Sequence, residues 1–355
     1  MPANKNCRFF LIVIPNVIRT LLPSFESISK KNSLNLKTVD FFVKIMNMFR
    51  DFRAAVKKIR LLSFTSGDKV DNFREKIESA FGSVFLPNHV ECNEREFGGV
   101  MCDMLIPEVY SSKRIMLYVH GGSFVGGSRD SWRNFCASLA NVASCRVVVP
   151  EFRLPPTHLF PSSLEDIKSV AEHLIAEEKT ALSLEDDENN RKPEIIIAGD
   201  GSGASIACAY VLGMGEAAKS DIKELLLFSP WLDLSSESQF MSGRKISDEV
   251  IGSDCLRRSA DVYAAKEDLE KAEISILRAD DEQLANFPSV FIQMGSREAL
   301  LKQAQAFSAR LSSLGVNCTL DVWKDMPFMF QMADEYLPES HLAIEKIGSH
   351  YTARG

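Results

Sequence analysis

The chain lacks paired cysteines, long apolar runs and any basic excess. Its eight cysteines, at positions 7, 92, 102, 136, 145, 208, 255 and 318, form no Cys-x-x-Cys and no close grouping with histidine. Neither a zinc site nor a disulfide framework is expected, no metal or cofactor is indicated, and a reducing, cytoplasmic setting fits best. No run approaches the roughly 20 apolar residues of a membrane-spanning helix. Near the amino terminus, Phe9 to Ile14 is an apolar stretch stopped by Pro15, with Asn16 and Arg19 soon after. It is too short and too interrupted for a signal peptide and is expected to be packing. No internal repeat is present.

What is there is the composition of a large globular protein: 355 residues, 45% hydrophobic and 25% charged, which excludes disorder, collagen and a small disulfide scaffold. The net charge of −7 conceals an asymmetry. Residues 1–62 carry twelve Lys/Arg against Glu26, Asp40 and Asp51, a balance of +9, which leaves −16 on the rest. Nucleic acid is an unfavourable partner for so acidic a body, whereas the basic segment suits an anionic membrane surface. Within that segment Val39, Phe42, Val43, Met46, Phe49, Phe52, Val56 and Ile59 recur every three or four residues. The spacing predicts an amphipathic helix over 35–64, whose apolar side is expected to pack as a cap.

From residue 98 short β-branched runs alternate with helical stretches. The runs are Ile115–Val119, Arg146–Pro150, Glu194–Ala198, Glu224–Ser229, Ser289–Met294 and Cys318–Trp323. Helices are expected near 131–143, 162–177, 203–213, 301–314 and 338–350. This alternation predicts an α/β fold with a mostly parallel sheet covered on both faces. The acidic stretch Leu184–Lys192 reads as a surface loop.

In such sheets functional groups gather beyond the carboxyl ends of the strands. His120-Gly121-Gly122-Ser123-Phe124 follows one strand, and its glycines let N–H groups turn toward a ligand oxygen, as an oxyanion hole requires. Gly199-Asp200-Gly201-Ser202-Gly203-Ala204 follows another, a strand, tight turn and helix with the form of a nucleophile elbow.

Together with Phe152-Arg153-Leu154-Pro155-Pro156-Thr157-His158, Leu164-Glu165-Asp166 and Ser229-Pro230-Trp231-Leu232-Asp233, these motifs resemble the hormone-sensitive-lipase family of α/β-hydrolase carboxylesterases, in order and at similar spacing, from about residue 85 onward. The resemblance implies an α/β-hydrolase domain over 85–355, a helical cap over 1–84, an oxyanion hole from Gly121, Gly122 and Ser202, and a small acyl or ester-like ligand. It also exposes two departures. The family nucleophile, third in Gly-Asp-Ser-Ala-Gly, is here Gly201, and the family base in Met-x-His is here Phe328. The acid position is kept as Glu298, within Gly295-Ser296-Arg297-Glu298.

Gly201 has no atom that attacks a carbonyl and Phe328 none that accepts a proton, so the expectation is a pseudoenzyme. The alternatives are a weak carboxylesterase using Ser202 and a peripheral membrane or scaffold protein. Ser205 is expected to be packing, His120 and Asp200 structural, and His341 and His350 surface residues. Glu298 is expected to accept a backbone hydrogen bond in place of the missing imidazole.

Overall fold

The structure, a computed structural model, describes residues 36–82, 85–87, 89–184, 192–235 and 248–352. Phe9–Ile14 and most of the acidic 184–192 stretch therefore lie outside the described residues. The chain divides into two compact units, Met1–Arg53 and Ala54–Gly355. The described part of the first is the amino-terminal portion of helix α1, Leu36–Ile59. The second contains all the strands, and residues 54–84, which the sequence groups with the cap, belong to it.

The second unit is built on one eight-stranded sheet: β1 (Val90–Phe97), β2 (Val100–Pro107), β3 (Arg114–Val119), β4 (Arg146–Pro150), β5 (Glu194–Asp200), β6 (Ile222–Phe228), β7 (Ser289–Gly295) and β8 (Cys318–Trp323). They lie in the order β1-β2-β4-β3-β5-β6-β7-β8. β2 runs antiparallel to both β1 and β4, and the remaining pairs are parallel. Ile195–Ala198, Leu225–Phe228 and Val290–Ile292 are buried, which is why these strands read as continuous apolar runs rather than as alternation.

The longer helices that follow are α2 (Val70–Phe81), α3 (Arg129–Ala143), α4 (Ser162–Ser183), α5 (Gly201–Gly213), α6 (Ser253–Tyr263), α7 (Leu301–Ser313) and α8 (Pro338–Thr352). Helix α5 is buried on all sides from Gly201 to Leu212, so it has no amphipathic face and fixes the turn that starts it. Glu78 of α2 accepts from Ser128 Oγ at 2.9 Å and Ser131 Oγ at 3.0 Å at the amino end of α3. A carboxylate there complements the helix dipole and anchors α2 to the body.

The expected amphipathic helix exists, but burial covers only its last turns: Ala55, Val56 and Ile59 are buried, whereas Val43, Met46, Met48 and Phe49 are exposed. Among the described residues no helix is long and apolar enough to cross a membrane, and no grouping of acidic, histidine and cysteine side chains suits a metal.

Candidate functional site

The turns after β3, β5, β6, β7 and β8 converge at the carboxyl edge of the sheet. The β5–α5 turn places Gly201 at φ +48, the left-handed conformation that glycine adopts without a side-chain clash and that a nucleophile elbow imposes on its central residue. Gly203 is demanded by close packing instead. A Cβ there would fall 2.1 Å from Val119 O and 2.3 Å from His120 O, so only glycine lets α5 start this close to β3.

Asp200, the residue before the turn, is buried and holds three elements together. Its Oδ1 accepts from Tyr118 Oη of β3 at 2.9 Å, from Gly121 N at 2.9 Å and from Trp132 Nε1 of α3 at 2.8 Å. Burial pushes its carboxyl up to about 7 against the pull of those donors. The scaffolding role expected of Asp200 is thus explicit, and it corrects the reading of Gly121. That residue gives its N–H to Asp200 and has none left for an oxyanion.

Among the described residues the N–H groups of Gly122 and Ser123 have no hydrogen-bond partner, and the N–H of Ser202 lies in the first turn of α5, where no helical carbonyl is available to it. Sequence reasoning missed Ser123, whose hydroxyl donates to Leu62 O at 2.7 Å and accepts from Phe64 N at 3.3 Å. The chain after α1 is thereby tied to the glycine turn.

Ser202 is buried, and its Oγ accepts from Phe124 N at 3.0 Å. No histidine or carboxylate is hydrogen-bonded to it among the described residues. Ser205 Oγ donates to Trp231 O, a packing role as expected. His120 is buried against the Phe152 ring at 4.3 Å, its Nδ1 2.9 Å from Gly121 O. Burial pushes its pKa down to about 4, so the ring stays neutral and donates through Nδ1–H.

Phe328 reaches this place from the turn after β8. A Cβ on Gly201 would stand 3.1 Å from Phe328 Cζ and 3.7 Å from Cε2. Gly122, Ser123, Gly201, Ser202, Trp231 and Phe328 are among the residues lining the cavity here, whose volume is about 10 Å³. That is space for about one water.

Glu298 is buried beside Ser229. Its Oε1 accepts from Gly295 N, as expected, and from Ser229 Oγ at 2.9 Å. Ser229 Oγ in turn accepts from Met329 N at 3.2 Å, which links the carboxyl to the residue after Phe328. Ser229 belongs to the Ser-Pro-Trp-Leu-Asp motif and was findable from it. The other oxygen, Oε2, is buried without a partner. Burial pushes this carboxyl well above its usual range, Asp248 adding to the effect against the Gly295 and Ser229 donors. His341 is exposed as expected, but His350 is not a surface residue: its Nε2 meets the buried Glu224 at 2.8 Å, at the opposite end of the sheet.

This architecture is that of an α/β-hydrolase, and the profile described as alpha/beta hydrolase fold matches residues 116–332. An acetyl-hydrolase of Streptomyces hygroscopicus is 30% identical over 66% of this chain and 74% of its own. Carboxylesterase/phospholipase LipF of Mycobacterium tuberculosis is 26% identical over 66% and 61%. Among solved structures, an esterase from the bacterial hormone-sensitive lipase family superposes with a TM-score of 0.72 at 25% identity, over 85% of this chain and 97% of that one. A hormone-sensitive lipase from a metagenome library gives 0.72 at 27%, over 86% and 97%. The chain belongs to the hormone-sensitive-lipase family of α/β-hydrolases.

Proposed function

We propose that this chain is a catalytically silent member of its family. The reading is carried by Phe328, whose ring stands 3.1 Å from where a side chain at 201 would begin. With Gly201 at the nucleophile position, Phe328 at the base position and Glu298 at the acid position, one member of the triad is left. Attack on a carbonyl needs a nucleophile and a group to take its proton, and neither is here. Losing either member of such a triad costs about 10⁶ in turnover, and losing both costs no more, because they work as a unit. Ser202 does not substitute: its oxygen is engaged with Phe124 N and faces no base.

Fluorophosphonate labelling of the purified chain tests this, alongside p-nitrophenyl acetate turnover. No label and only background hydrolysis are expected. Stoichiometric labelling at Ser202, abolished by Ser202→Ala, makes the chain an esterase after all.

A second reading rests on the N–H groups of Gly122, Ser123 and Ser202. Relatives named as an acetyl-hydrolase and as esterases point to small acyl esters or the carboxylates they release, and such an oxygen is what backbone donors lining one cavity take. The cavity of about 10 Å³ admits it only after Phe328 swings aside. In that reading Phe328→Ala binds acetate or butyrate measurably better than the parent by calorimetry. Heats absent from both proteins remove it.

A further inference from the structure

The exposed half of helix α1 is accounted for neither by the cap nor by the hydrolase site. Val43 is 48% exposed, Met46 70%, Met48 61% and Phe49 45%. At about 3.6 residues per turn, Val43, Met46 and Phe49 cover one flank and Met48 the opposite one. The uncovered apolar surface is therefore centred on the flank of Val43, Met46 and Phe49. Arg50 and Arg53 follow on the same side as Met46, Lys44 lies toward Met48, and Asp51 pairs with Arg50 at 3.1 Å. Solvent-exposed Met and Phe cost free energy in water, and contiguous apolar surface of this kind marks an interaction site.

We infer that residues 43–53 dock on an anionic lipid surface, independently of whether the hydrolase site turns over. Two observations select this partner. The first is charge. Residues 1–62 carry +9 while the remainder carries −16, so an anionic bilayer attracts this segment and repels the rest, which orients the molecule. The second is the exposed apolar flank. Val43, Met46 and Phe49 share one side of the helix with Arg50 and Arg53, which sets apolar and basic side chains together as an interfacial helix needs in order to lie among anionic headgroups. Apolar insertion and basic attraction are also the two separate signals that stable surface binding takes.

The test is flotation of the full chain with phosphatidylcholine vesicles containing phosphatidylserine, against vesicles of phosphatidylcholine alone. Binding to the anionic vesicles only, weakened by high salt, is expected. Arg50→Glu with Arg53→Glu exchanges attraction for repulsion at two positions and is expected to weaken binding by about 25-fold or more, since each basic residue near the surface contributes about fivefold. Met46→Ser with Phe49→Ser is expected to weaken it about tenfold or more by removing the inserted side chains. Unchanged circular dichroism and thermal unfolding of both variants exclude misfolding as the cause. Binding that neither pair alters, or none to anionic vesicles at low salt, overturns the inference. So does a salt-sensitive dimer of the parent chain that both pairs dissociate, because the helix would then be docking on the acidic body of a second copy.

Discussion

If Phe328 occupies the space of a side chain at 201, restoring the serine and the histidine must be a coupled change. Gly201→Ser alone forces a non-glycine residue into φ +48, at about 1–2 kcal/mol. It also sets a Cβ 3.1 Å from the Phe328 ring beside a cavity of only about 10 Å³, and overpacking of this kind costs a further 1–3 kcal/mol or so. Phe328→His alone loses about 2 kcal/mol of apolar burial. It offers the orphaned Glu298 Oε2 a hydrogen-bond partner, worth about 0.5–1.5 kcal/mol, in return. In the double variant the smaller imidazole relieves the clash, so the two costs do not add. A stabilising coupling of about 1–3 kcal/mol is expected from urea midpoints at unchanged m. Fluorophosphonate labelling is expected only in the double variant. Additivity within about 0.5 kcal/mol, or labelling of Gly201→Ser by itself, refutes the steric coupling and with it the assignment of Phe328 to the base position.

Ser202→Ala should leave ester turnover at background while lowering stability by about 1–3 kcal/mol in urea, because Phe124 N loses its buried acceptor; a neutral change would show that the hydroxyl does not hold the turn. Two buried groups give opposite pH dependences. His120, pushed down to about 4, is neutral when folded while its unfolded form protonates below about 6.5, so its contribution is lost as pH falls from about 6.5 toward 4. Asp200, pushed up to about 7, is protonated when folded between about 3.8 and 7, so its contribution is lost as pH rises through that window. They oppose each other between about pH 4 and 6.5, and Asp200→Asn should make stability climb more steeply with pH there than in the parent; equal slopes in urea midpoints measured across that range would contradict the raised Asp200 carboxyl.

The parallel core was legible because its strands are buried on both faces and appear as unbroken apolar runs. The β1–β2 hairpin was not, since β1 carries Glu91, Glu94, Arg95 and Glu96 on an edge strand of which only Phe97 is buried. Helix α2 was passed over for a similar reason: it buries only Phe73, Ile77 and Phe81 in a strongly charged stretch. Within the site, residue types announced the glycine turns and the two departures at 201 and 328. They do not announce where a backbone N–H points: that Gly121 donates to Asp200 and that, among the described residues, the Ser123 N–H is free at this turn are visible only in the structure. His350 and Glu224 lie 126 residues apart in sequence, and no local pattern signals such a pair.

The arrangement around Asp200 separates what keeps the turn in shape from what lets it react. Tyr118, Gly121 and Trp132 come from a strand, a loop and a helix, and all three terminate on one carboxyl oxygen. A chain with no chemistry left at 201 would still lose the register of those three elements if Asp200 were lost, and Gly203 is fixed just as firmly by two carbonyl oxygens. Folding alone is then enough to keep the enzyme-like signature through any number of generations without turnover. The residues that make such a chain look like a hydrolase are its masonry, and its reactivity is decided elsewhere, at positions 201 and 328.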